Sequence, residues 1–64
     1  PLQALSARER EVAEAVAKGL SNKQVAQGLA ITERTVKAHL ASVFDKLAVR
    51  DRMQLALLVA RARM

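Results

Sequence analysis

The sequence predicts an all-α fold of four short helices, and three observations carry that prediction. Thirteen of its 64 residues are alanine, and valine, leucine and isoleucine supply most of the remaining apolar content, a composition that favours helix and close packing over a bulky aromatic core. Hydroxyl-bearing capping residues, Ser6, Ser21 and Thr32, stand before successive apolar runs, where each can satisfy a free amide of a first turn. Within the longest run the apolar residues recur at Val36, Leu40, Val43, Phe44 and Leu47, the i, i+4, i+7, i+8, i+11 stripe of one helix face.

Each helix has its own punctuation. Ser6 with Glu9 has capping-box spacing: the serine oxygen accepts from an amide of the first turn while the glutamate reaches back to the serine amide. Val12, Ala13 and Val16 then share a face, and Lys18-Gly19 supplies a cation for the negative end and a residue that tolerates a left-handed stop, so the first helix is expected at about 7–18. Ser21 with Gln24 repeats the box at once and opens a second helix at about 22–29, with Val25, Ala26 and Leu29 facing inward and Gly28 weakening its end. Only Ala30, Ile31 and Thr32 separate it from a third helix at about 33–47, a connector of helix-turn-helix length. Asp51 is the expected cap of a fourth helix at about 52–62, with Leu55, Leu58, Val59 and Ala62 as its core stripe.

A chain of this size hides only about 60% of the surface it would expose unfolded, so it forms one marginally stable domain. Residues 1–64 are accordingly read as one domain, with Pro1 to Ala4 as the tail of a linker from an upstream regulatory domain. The absence of cysteine removes disulfides and thiolate metal sites and suits the cytoplasm. There is neither an apolar run of spanning length nor a secretion signal. Eleven lysines and arginines against six acids give a net charge of +5, which points to an anionic partner, nucleic acid or a membrane surface. Glu9, Glu11 and Glu14 cluster early, whereas Lys18, Lys23, Arg34, Lys37 and Lys46 span the middle, the expected contact surface. At 100° per residue Arg34, Lys37, Ala38, Ala41 and Asp45 lie opposite the apolar stripe of the third helix, a small and basic face of a kind that enters a groove. On the fourth helix Met53, Ala56, Leu57 and Ala60 form a second apolar stripe, more than a monomer needs, and are read as a dimer surface unless Leu2, Leu5 or another domain covers them.

With these elements in place the sequence resembles the LuxR-type helix-turn-helix domain, also called GerE or FixJ/NarL-type, of bacterial transcriptional regulators. The resemblance runs from Leu5 to Ala60 and rests on L-S-A-R-E-R-E-V at 5–12, G-L-S-N-K-Q-V-A at 19–26, I-T-E-R-T-V-K-A-H-L at 31–40 and K-L-A-V-R-D-R at 46–52. Four segments in order are far more specific than any one of them. The resemblance implies that the second helix crosses the backbone of double-stranded DNA, that the third lies in the major groove, and that the fourth brings two subunits together as a homodimer on DNA. It further implies a role as the output domain of a response regulator of a two-component system or a similar regulator, with RNA polymerase as a further partner and with no cofactor. Carried over from the family, the base-contacting positions are Lys37, Ala38 and Ala41. Of these only Lys37 can donate a hydrogen bond, to the acceptor edge of guanine, while the alanines offer contact with a thymine methyl. Many members have a long polar or basic residue where Ala41 stands, a departure that shifts weight to backbone contacts and DNA shape. The expected backbone contacts are Ser21, Asn22 and Lys23 at the start of the second helix, Thr32, Arg34 and Thr35 at the start of the third, where free amides and the dipole favour phosphate, and Lys46 at the far end.

Other chemistry finds little support. His39 is the only histidine and has no cysteine or paired carboxylate at a metal-ligand spacing, Glu9 is required for a cap, and Glu11 is expected to pair with a neighbouring arginine or lysine. No glycine-rich phosphate loop and no nucleophile with an adjacent base is present, so no enzyme is expected. Two rivals remain: a sigma-factor-like promoter-recognition module, opposed by the K-L-A-V-R-D-R ending and the full fourth helix, and a protein-interaction or dimerisation module centred on the second apolar stripe. A membrane-surface role would need bulky anchors that one phenylalanine and no tryptophan cannot supply.

Overall fold

The computed structural model describes residues 2–63. A 3-10 turn, Leu2–Ala4, leads into α1 (Ala7–Ala17), α2 (Asn22–Leu29), α3 (Glu33–Leu47) and α4 (Arg52–Arg63), and no strand occurs among the described residues. The helix boundaries match the sequence expectation to within one residue at each end. Pro1 lies outside the described residues; of the other residues expected as a linker tail, Leu2 is 7% exposed and joins the core cluster, while Gln3 and Ala4 are exposed.

The expected caps are formed. Ser6 Oγ accepts from the Glu9 amide at 3.2 Å while the Ser6 amide donates to Glu9 Oε1 at 2.8 Å. Ser21 and Gln24 repeat the exchange at 3.1 and 2.9 Å. Thr32 Oγ1 accepts from the Thr35 amide, and Asp51 Oδ1 from the Gln54 amide. Each cap satisfies a donor that the helix itself cannot.

The C-terminal ends of the first three helices share one geometry. In each, a residue of positive φ follows the last helical turn, and the next amide reaches back to a carbonyl five residues earlier: Leu20 to Ala15, Ile31 to Ala26 and Val49 to Phe44. This Schellman arrangement reverses the chain within two residues and places an apolar residue just beyond the turn. Gly19 adopts the left-handed conformation without penalty at φ 93°. Ala30 and Ala48 adopt it at φ 57° and 55°, where a Cβ crowds the following carbonyl.

The core is a single cluster of Leu2, Val12, Ala13, Val16, Val25, Ala26, Val36, Leu40, Val43, Leu55 and Val59, with Leu29, Ile31, Phe44, Leu47 and Val49 packed around it. Helix α1 packs on α3 and α4, and α2 on α3. Two expected core positions of α4 differ: Leu58 is half-buried and Ala62 is exposed. The helix outruns the surface it packs on, so Ala62 edges an open hollow with Leu2, Gln3 and Arg10.

One carboxylate joins α1 to α3. Besides serving its own cap, Glu9 accepts from Ser42 Oγ at 2.5 Å through Oε2 and from Lys46 Nζ at 2.8 Å through Oε1. The Lys46 and Ser42 hydrogen bonds, together with the Ser6 amide, hold the Glu9 carboxyl down at about 2 from an ordinary 4.5. Because the folded value is the lower one, this contribution to stability is complete above about 4.5 and is lost as pH falls toward about 2. Acid unfolding followed by circular dichroism is therefore expected to show a steeper loss of stability across that window in the native chain than in Glu9→Gln, whose curve lacks this titration; coincident slopes would contradict the assignment. At the helix end, Ala48→Gly removes the left-handed strain but loosens the unfolded chain, for a net gain of about 0.5 kcal/mol. The melting temperature should rise by about 2–4 °C, and an unchanged or lower value would show that the αL alanine is unstrained.

Candidate nucleic-acid interface

The arrangement of α3 follows from its buried stripe. Val36, Leu40 and Val43 are buried against the core, so helical geometry turns Arg34, Lys37, Ala38, Ala41 and Asp45 outward, and all five are exposed. Arg34, Lys37 and Lys23 make no ion pair among the described residues, leaving their charge available to an external anion. Two of the three acids of α1 are matched on their own helix: Arg8 stands 3.9 Å from Glu11 and Arg10 3.8 Å from Glu14, while the third, Glu9, takes Lys46 of α3. The positive excess therefore lies in the rest of the chain: Lys23, Arg34, Lys37 and Lys46 stand against Glu33 and Asp45 over residues 22–47, and Arg50, Arg52, Arg61 and Arg63 against Asp51 over residues 48–64. Glu33 and Asp45 are the acids of α3 itself, one at each end of its exposed face.

The starts of α2 and α3 offer hydrogen-bond donors. Ser21 Oγ accepts from its own helix, leaving its hydrogen free to donate. Thr32 and Thr35 join their hydroxyls at 2.9 Å; since that bond takes one of their two hydrogens, the other remains free. Lys23 and Arg34 are exposed one turn or less from these ends. Ala38 and Ala41 leave the middle of the outward face low, with the long side chain of Lys37 beside them.

Two sequence-derived site residues are already engaged inside the protein. The ammonium of Lys46 is held by Glu9, on the part of α3 that meets α1. Asn22 is half-buried, and its Oδ1 accepts from Arg52 Nη1 at 2.7 Å. Arg52 itself was not singled out by the sequence reading. Its other terminal nitrogen donates to the Leu20 carbonyl at 2.8 Å, so the first residue of α4 grips the turn before α2. Asn22, Lys37 and Arg52 rim a hollow of about 290 Å³ floored by Leu40, Ala41 and Phe44. Nothing in hydrophobic periodicity reveals such a partnership across 30 residues; the only signal is the arginine closing the K-L-A-V-R-D-R segment.

On α4, Met53 is 74% and Leu57 54% exposed. Ala60 is exposed beside them and Ala56 half-buried. Leu2 enters the core instead of covering this stripe. No group of three or more His, Asp or Glu side chains among the described residues is arranged to hold a metal ion, and no helix there is long and apolar enough to cross a membrane. His39 is half-buried beside the core stripe of α3.

Comparison with known proteins shows the family of the chain. Residues 3–59 match the family described as bacterial regulatory proteins, luxR family. The chain is 49% identical over 57 residues to the transcriptional regulatory protein LnrK of Bacillus subtilis, covering 89% of this chain and 26% of that protein. It is 43% identical over 63 residues to the nitrate/nitrite response regulator protein NarP of Escherichia coli, covering 98% of this chain and 29% of that one. A third relative, the HTH-type regulator YhjB of Escherichia coli, is 45% identical over 58 residues, or 91% and 29% of the two chains. The chain thus spans between a quarter and a third of the length of these relatives.

Proposed function

This chain belongs to the luxR family of bacterial regulatory proteins, a family of DNA-binding transcription regulators rather than enzymes, and we propose that it reads operator DNA with α3 in the major groove. In this reading it acts as a homodimer on two-fold-related half-sites and forms the output domain of a longer response regulator or similar protein. RNA polymerase is the further partner of such a regulator.

The observation that carries the proposal is the division of α3 into a buried stripe and an exposed face on which Arg34 and Lys37 are unpaired and Ala38 and Ala41 are small. A major groove admits a helix of this width, and the low alanine surface lets the helix axis approach the base edges. Lys37 is proposed as the hydrogen-bonding reader, with Ala38 and Ala41 against thymine methyls. Ser21, Asn22, Lys23, Thr32, Arg34 and Thr35 are proposed to hold phosphates, where amide-rich helix starts and cations favour them. Lys46 is the weakest of the phosphate assignments because Glu9 already balances its charge. The exposed Met53 and Leu57 support pairing of two copies through α4, which brings the interaction-module reading into the same picture. The luxR match also favours this reading over a sigma-factor-like module.

The test is selection of bound duplexes from a random pool, followed by fluorescence-anisotropy titrations across a salt series. If about four to eight phosphates are neutralised per dimer, affinity should fall with a log-log slope near 0.9 per phosphate, and a salt-insensitive affinity would overturn the reading. Lys37→Ala is expected to weaken the selected site by about 1–3 kcal/mol and relax preference at one base pair, whereas Arg34→Ala and Lys23→Ala should weaken all duplexes alike and reduce the slope. The reverse pattern would exchange the two roles. Leu57→Glu should abolish joint occupation of half-sites about one helical turn apart while leaving single half-site binding intact; cooperative occupation that survives the substitution would exclude this face as the dimer surface.

A further inference from the structure

We propose that Arg52 is a positioning residue for DNA binding: it fixes the side-chain amide of Asn22 so that this amide offers hydrogen-bond donors, not its acceptor, to a backbone phosphate. The inference rests on the reading of α2 and α3 as the DNA-facing elements and names a device within that site.

The chemistry of the pair dictates the orientation. An arginine has only donors, so the atom of Asn22 that meets Arg52 Nη1 at 2.7 Å must be the carbonyl oxygen Oδ1. The Nδ2 group, with two hydrogens, is consequently turned away from Arg52. A free asparagine side chain presents either end, and only one of them is compatible with a phosphate oxygen. Arg52 removes the wrong choice before the anion arrives.

The same guanidinium fixes the backbone. Its Nη2 donates to the Leu20 carbonyl at 2.8 Å, and Leu20 and Asn22 flank Ser21, the cap of α2. One planar fork therefore spans the capping residue from both sides, a two-point grip that lysine, with a single flexible ammonium, does not reproduce. The grip is needed because the turn has little apolar support on this side: Leu20, the residue just past the Schellman turn, is 36% exposed. Since Arg52 opens α4, the helix start proposed to meet phosphate is referenced to the helix proposed to pair two subunits. Lys37 and Asn22 line the same hollow as Arg52, so the held amide and the proposed base-reading side chain border one cavity.

Anisotropy titrations of the folded chain and its variants on the selected duplex and on an unrelated duplex, over a salt series, test this. Arg52→Ala should weaken both duplexes by about tenfold, the value of one hydrogen bond to a charged group, with the salt slope unchanged. A slope reduced by about 0.9 would mean that Arg52 itself neutralises a phosphate, and the positioning role would be wrong. Asn22→Ala should weaken binding similarly, and the double variant no further, because each change disables the same contact; additive losses would overturn the proposal. Asn22→Asp supplies the readout that a merely structural clamp would leave alone: the aspartate keeps Arg52 as partner, so the melting temperature is held or raised, yet it presents no donor and binding falls at least as far as in Asn22→Ala. Native-like binding by Asn22→Asp would refute the donor role. If Lys23→Ala and Arg34→Ala weaken binding while Arg52→Ala does not, this inference alone fails; if none of the three has any effect, the DNA-facing assignment fails with it.

Discussion

The carboxylate of Glu9 is the point from which the orientation of the rest is set. It accepts from the amide at the start of its own helix and from two side chains, Ser42 and Lys46, that stand one turn apart on α3. A methyl-lined core of valines and alanines tolerates sliding and rotation of one helix on another, because its contacts are short and alike. A hydrogen-bonded charge does not, since a small shift would leave it with neither water nor partner. Glu9 therefore adds to the nondirectional packing of α1 on α3 a directional contact with one register, and with it determines which residues of α3 look outward.

The helix ends do the corresponding work along the chain. Three reversals of Schellman type, each followed within one or two residues by a capping side chain at the next helix start, leave α1, α2, α3 and α4 almost no connecting chain whose shape could vary. The placement of α2 beside α3 is consequently a local property of the Leu29 to Glu33 stretch, supplemented by the Arg52 fork from the far end of the sequence. Charge is divided along the chain as well: Glu11 and Glu14 face arginines of their own helix and Glu9 takes Lys46, while Lys23, Arg34 and Lys37 make no ion pair among the described residues.

Much of this was legible in the sequence because the relevant interactions are local. Capping boxes operate over three residues and helical stripes over four, so Ser6, Ser21, Thr32, Asp51 and the stripe of Val36, Leu40 and Val43 could be read directly. The left-handed stops were legible where glycine marks one, at Gly19, and silent at Ala30 and Ala48, whose conformations are imposed by tertiary packing against residue preference. Ala62 was misread for a related reason: periodicity reports which residues share a face but not where the neighbouring helix ends. The proposed interface residues rest on the four family segments rather than on charge, and the long-range polar partners, Glu9 with Ser42 and Arg52 with Asn22, were hidden because a partner some 30 residues away leaves no periodic trace.

The partition of α3 has an evolutionary consequence. Its buried stripe and its outward face share no residue, and Ala38 and Ala41 are exposed and outside the core cluster. Substitutions on that face are consequently almost decoupled from folding, so, if the face reads DNA as proposed, a lineage carrying this scaffold can exchange one operator vocabulary for another by a few codon changes while foldability is conserved. A helix with alanine at its proposed reading positions is, in that sense, an uncommitted one: it sits close to many possible specificities.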